Sequence, residues 1–328
     1  MTDSTAASPA ATAAAPAATP PAAPVTATLS GSTSTSPNRV EALLQRGPWT
    51  STGEVNTPIG TLRYQARAEF IEVVDSSLNG SSTAPQAAVL CTSYTLLPED
   101  GHGHGQGQPH PTPSRRLCFA FNGGPGSASI WLQLGAVGPK RVRIQDDGYA
   151  PQPPYAVEDN PLTWLQHMDL VFIDPPHTGW SLAADDEARK KLLSVDGDVA
   201  ALTGVMRSWL TRHRRWNSPI LLAGESYGTT RGAALADSLQ AAGITLSGVI
   251  LVSCAMDLQT LRFTPANDTP FGLFLPAMAN TSQYHGLLKG RVAASSSAAR
   301  EAAESFVEED YLAALHAGSR LSHDRQRR

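Results

Sequence analysis

Ser226 stands in Gly224-Glu225-Ser226-Tyr227-Gly228, between the apolar run PILLAG and the alanine-rich stretch that opens TTRGAALADSL. A hydroxyl on so tight a turn is suited to nucleophilic attack. Small residues let strand and helix pack closely, and amides at the helix start face the oxygen that gains charge. The same string fits a serine that merely caps a helix. A second stretch, FNGGPGS (121–127), also follows an apolar run and precedes a helix-like pattern, IWLQLGAV. Its adjacent glycines expose backbone N–H groups, which suits an oxyanion hole, with an ordinary Gly-Pro turn as the alternative.

These residues need a rigid frame. LCFAF (117–121), DLVFID (169–174), PILLAG (219–224) and LSGVILVS (246–253) read as short buried strands. Helical patterns follow at about 195–216 and 226–242. Strands apolar on both faces, alternating with helices, predict an α/β fold with a mostly parallel sheet covered on both sides. Both glycine-bearing turns then reach the carboxyl rim of that sheet, where such folds keep their sites. TLRYQARAEFIEVVD (61–75) and AAVLCTSYTLL (87–97) predict antiparallel strands at one edge. YHGLLKG (284–290) and SAAREAAESFVEEDYLAALHAG (297–318) predict helices after the last strand.

Composition narrows the function. The net charge of −4 in 328 residues argues against nucleic-acid and membrane-surface partners. No run of about 18 apolar residues occurs, so no transmembrane helix is expected, and a cytoplasmic address is the default unless the start codon is mis-assigned. Residues 1–45 are dominated by Ala, Pro, Ser and Thr and predict a disordered tail. Residues 99–114 predict a flexible loop, whose His102, His104 and His110 pre-organise no metal site. Cys91, Cys118 and Cys254 lie in or beside apolar runs and predict buried free thiols. The sequons at Asn79, Asn267 and Asn280 carry no meaning at a cytoplasmic address.

Three segments in order, FNGGPGSASIWLQLGAVGPKRV, NPLTWLQHMDLVFIDPPHTGWS and LLAGESYGTTRGAALADSL, resemble the serine carboxypeptidase family, particularly its bacterial branch. VSCAMDLQTLRF and YHGLLKG agree, and the resemblance runs from about Trp49 onward. It implies an α/β-hydrolase fold over residues 46–257 and a helical, cap-like insertion over 258–328. It also implies removal of C-terminal residues from peptides without a metal or other cofactor. By resemblance, Ser226 is the nucleophile, and the amides of Gly124 and Tyr227 form the oxyanion hole. Asn122, Glu225 and the Gly123 amide hold the substrate's terminal carboxylate. Two carboxylates repel, so Glu225 binds that group well only with a proton between them, and peptide binding should improve in acid. There are departures: Ala136 replaces the family's second acid, Ala120 replaces an aromatic residue, and Pro176 and His177 replace a valine and a glycine.

Ser226 also needs a base and an acid to orient it. In this fold they follow the serine, acid first, then histidine. Asp257 reads as the start of a turn, His285, His316 and His323 lie in or beside helices, and His177 precedes the serine. The resemblance places the true pair beyond residue 328. The chain is thus read as the N-terminal part of a serine carboxypeptidase, expected to be inactive by itself. An esterase or acyltransferase of the same fold, or a non-catalytic binding protein on that scaffold, are the rival readings.

Overall fold

The computed structural model describes residues 37–74, 84–98, 115–145, 147–149 and 151–327. The expected tail up to residue 36, the whole 99–114 loop with its three histidines, and Asn79 lie outside the described residues. Helix α1 (Pro37–Leu44) falls inside the stretch expected to be tail, and its Val40 side chain is buried in the main core.

Strands β1 (Trp49–Thr57), β2 (Gly60–Val74) and β3 (Pro85–Leu96) form an antiparallel meander. β1 has no strand-like signature in the sequence. Most of its side chains are polar and exposed, and pairing with β2 along its whole length makes it a strand. β4 (Leu117–Phe121) follows. Next come the short helix α2 (Ile130–Leu132), a wide helical turn over Gln133–Val137, and the ribbon of β5 (Lys140–Val142) with β6 (Val157–Asp159). β7 (Asp169–Ile173), β8 (Leu182–Ala183), α3 (Asp186–Leu192), α4 (Val195–Arg212), β9 (Ile220–Glu225), α5 (Tyr227–Ala241) and β10 (Leu246–Val252) complete the core.

The main sheet has the order β1-β2-β3-β7-β4-β9-β10, with β8 paired to β3. β7, β4, β9 and β10 run parallel, while β1 to β3 form the antiparallel edge. This is the α/β-hydrolase arrangement expected from the sequence. Every side chain of β4 and β7 is buried, because both faces of the sheet are covered. Phe119, Phe121, Ile173 and Leu222 pack with Leu202, Val205 and Trp209 of α4. Cys118, Ala120, Phe172 and Ala223 pack on the other face with Leu132, Val137 and Leu165.

After β10 the described chain is helical: α6 (Thr269–Tyr284), α7 (Ser296–Phe306), α8 (Leu312–Ala317) and α9 (His323–Gln326). YHGLLKG is not a helix. α6 stops at Tyr284, Gly286 takes φ +66°, and the Leu287 amide reaches back to the Ser282 carbonyl at 2.9 Å, a glycine-based helix ending. The helix lies instead in the preceding TPFGLFLPAMANTSQY, where two prolines and a glycine mask the periodicity. Cys91 and Cys118 are buried free thiols, whereas Cys254, past the end of β10, is exposed. Among the described residues no helix is long and apolar enough to cross a membrane.

Candidate active site

β4 and β9 are paired in parallel with Phe121 opposite Gly224. The next residue on each strand, Asn122 and Glu225, therefore emerges side by side at the carboxyl rim. Asn122 Nδ2 donates to Glu225 Oε2 at 2.9 Å, and Asn122 Oδ1 accepts from the Leu132 amide at 2.9 Å. The carboxamide is 2% exposed, so its orientation is fixed by these two bonds.

Ser226 follows Glu225 with φ 57° and ψ −125°. That conformation is open to glycine and costly for other residues, of order 1–3 kcal/mol. It persists because the surroundings impose it. The Ser226 amide donates to the Val252 carbonyl at 3.0 Å. The Ser226 carbonyl accepts from the Thr229 amide at 2.9 Å and from its hydroxyl at 2.7 Å. The Ser226 side chain makes no cap bond to α5, so the helix-capping reading of this serine fails.

Glycine is required around it for lack of space. A Cβ on Gly224 would stand 2.5 Å from the Gly228 carbonyl carbon and closer still to its oxygen. One on Gly123 would collide with the Tyr227 amide nitrogen and stand 2.7 Å from the Glu225 oxygen. The two glycine-bearing turns thus pack backbone to backbone, which brings Gly123 against the Tyr227 amide. Gly124 has φ +105° and is exposed.

Ser226, Glu225, Asn122 and Gly124 line one cleft of about 560 Å³ with Ser127, Trp131, Leu132, Gly135, Ala136 and Val252. Ala136, the departure from the expected second acid, lies in this cleft. Ala120 is fully buried beneath the sheet face. Trp131 is 69% exposed at the cleft wall and was not foreseen from the sequence.

Asp174, at the carboxyl end of β7, accepts from the Ser129 amide at 2.8 Å. Burial raises its pKa, partly offset by the backbone amides of Ser129 and Trp180. His177 is exposed at φ 63°, and partial burial together with Arg189 lowers its pKa.

Among the described residues no histidine hydrogen-bonds to the Ser226 hydroxyl. Asp257 starts a turn, accepting from the Gln259 amide at 2.9 Å. His285 closes α6, His316 lies in α8 and His323 opens α9. No cluster of metal-ligating side chains occurs among the described residues.

A serine carboxypeptidase family model matches residues 108–260, the stretch that contains both glycine-bearing turns. The likeness to the serine carboxypeptidase family thus spans somewhat under half of the chain. No curated protein matches it. Among solved structures, this chain is similar to the peroxisomal α/β-hydrolase Lpx1 of Saccharomyces cerevisiae. The two share 14% identity at a TM-score of 0.33, over 57% of this chain and 44% of that one. The rice cell wall degrading esterase LipA of Xanthomonas oryzae is 15% identical at a TM-score of 0.35, over 72% and 59%. A protein from Agrobacterium vitis S4 is 13% identical at a TM-score of 0.30, over 71% and 63%. The chain thus spans roughly half the length of the first solved structures it matches.

Proposed function

We propose that this protein is a serine-type carboxypeptidase, releasing C-terminal residues from peptides through an acyl-enzyme on Ser226. The observation that carries the reading is the Asn122–Glu225 hydrogen bond, in the same cleft as Ser226 and Gly124. A fixed carboxamide beside a single acid is suited to a substrate carboxylate. Asn122 donates its remaining N–H, and Glu225 binds through a shared proton.

With the terminus anchored there, Ser226 Oγ attacks the adjacent peptide carbonyl. The oxygen that becomes negative is met by the amides of Gly124 and Tyr227. The proton lost by the Ser226 hydroxyl leaves with the amine, and water then cleaves the ester, releasing the acid and restoring the hydroxyl. Among the described residues no histidine reaches the Ser226 hydroxyl, so slow reaction is expected of this chain. An oxyanion hole without a complete triad still accelerates acyl chemistry by about 10³-fold over water.

One observation favours a second reading. Ala136 leaves Glu225 as the single carboxyl among the cleft-lining residues, which also suits an esterase acting on uncharged acyl groups. Long incubation with a fluorophosphonate, followed by mapping of the adducts, tests the nucleophile common to both readings. A slow adduct on Ser226, well above other serines and missing from Ser226→Ala, is expected. Labelling of Ser226 no faster than of other serines would reject both.

A further inference from the structure

Arg231 lies on α5, five residues after Ser226, and the reaction scheme above does not use it. It is 3% exposed. Its Nε donates to Asp198 Oδ2 at 2.6 Å, from the first turn of α4. Its Nη1 donates to the main-chain carbonyl of Asn122 at 2.6 Å. The guanidinium carbon is 5.6 Å from the centroid of the Phe121 ring and 5.3 Å from that of Tyr227. One buried cation therefore touches the residue before Asn122, the carbonyl of Asn122 itself, and the residue after the nucleophile.

We propose that Arg231, backed by Asp198, is a positioning residue that locks the Asn122–Gly123 peptide and Tyr227 into register for attack by Ser226. The inference rests on the reading of Ser226 as nucleophile. The physical argument is the planarity of the peptide. The carbonyl of Asn122 and the N–H of Gly123 belong to one rigid unit and point in opposite directions. A charge-assisted bond that fixes the carbonyl fixes the amide as well, and polarises it as a donor.

Arginine is the residue suited to this place. Its planar fork serves Asp198 with one nitrogen and Asn122 with another, while its faces lie against two rings. Lysine offers a point charge and no plane. Burial raises the pKa of Asp198, and the Arg231 guanidinium partly offsets that rise. A plain ion pair joining α4 to α5 needs neither the Asn122 bond nor the ring contacts, and that difference can be tested.

The experiment compares wild type, Arg231→Met, Arg231→Lys and Asp198→Asn in the full chain, with two readouts. The first is amide hydrogen exchange at Gly123, referenced to Phe119 and Leu222 within the sheet. The second is the rate of fluorophosphonate addition to Ser226. Arg231→Met is expected to speed Gly123 exchange by about tenfold relative to the sheet and to slow Ser226 addition by about tenfold or more. Asp198→Asn, which keeps the Asn122 bond, should show a smaller change in both, and Arg231→Lys an intermediate one.

Equal acceleration at Gly123 and in the sheet, or no change at Gly123, would overturn the positioning role. If Arg231→Met does not fold, Arg231→Lys and Asp198→Asn carry the same comparison. If wild type does not label at Ser226, the nucleophile reading fails, while the Gly123 exchange still decides whether Arg231 holds that peptide.

Discussion

Ser226 is held in a conformation that only glycine adopts freely, and its surroundings impose it through the Val252 carbonyl and the Thr229 side chain. That strain has a measurable consequence. Ser226→Gly is expected to raise unfolding stability by about 1 kcal/mol, because glycine accepts positive φ without the Cβ penalty. Ser226→Ala keeps the strain and should change stability little. Urea melts of the three proteins check this, and a glycine variant less stable than wild type would show that the turn is relaxed. Ser226 and its two flanking glycines were legible in the sequence as residue types at a fixed spacing, whereas Asn122 and Glu225 were singled out only through the resemblance to serine carboxypeptidases. Arg231 and Asp198 were not. An arginine inside an amphipathic helix gives no sign of being buried until the sheet sets Phe121 and Asn122 against it.

At the scale of elements, the site is a junction between β4 and β9, and the glycines there do different jobs. Gly224 faces the Gly228 carbonyl with no room for a methyl group, while Gly232, two turns along α5, has its nearest neighbour 3.8 Å away. Gly224→Ala is expected to lower the unfolding free energy by about 3 kcal/mol or more, through a forced backbone shift. Gly232→Ala should raise it by about 1 kcal/mol from helix propensity alone. Equal effects would contradict the close packing of the two turns. The buried strands β4, β7 and β9 could be read from sequence because apolar runs of five or six residues have few other uses. β1 and the β5–β6 ribbon could not, since their pairing and not their own pattern makes them strands. α6 was hidden by its own prolines.

For the molecule as a whole, one buried network contributes to the acid limb of stability. Glu69 on β2 is 3% exposed and meets His213, Arg212 at 2.9 Å and Arg67 at 3.2 Å. Burial alone would raise its pKa. Hydrogen bonds from His213 and Arg212 outweigh that and pull it from 4.5 to about 2. A depressed folded pKa means that this stabilisation is fully present above pH 4.5 and disappears as the pH falls toward 2. Asp174 and Asp198, raised by burial, act in the opposite sense. The urea midpoint should therefore fall across this window. Glu69→Gln should be less stable at neutral pH yet show a flatter decline. An unchanged slope in that variant would remove Glu69 from the account.

The central claim is recognition of a peptide's free terminus beside Ser226, and equilibrium binding tests it without requiring turnover. The measurement is the affinity of the chain for a blocked dipeptide and for its C-terminal amide, with Asn122→Leu alongside. The free acid should bind about tenfold more tightly than the amide, because the Asn122 carboxamide donates a charge-assisted bond to the carboxylate. The gap should narrow in Asn122→Leu. Equal affinities for acid and amide would contradict carboxylate recognition and leave the esterase reading in its place.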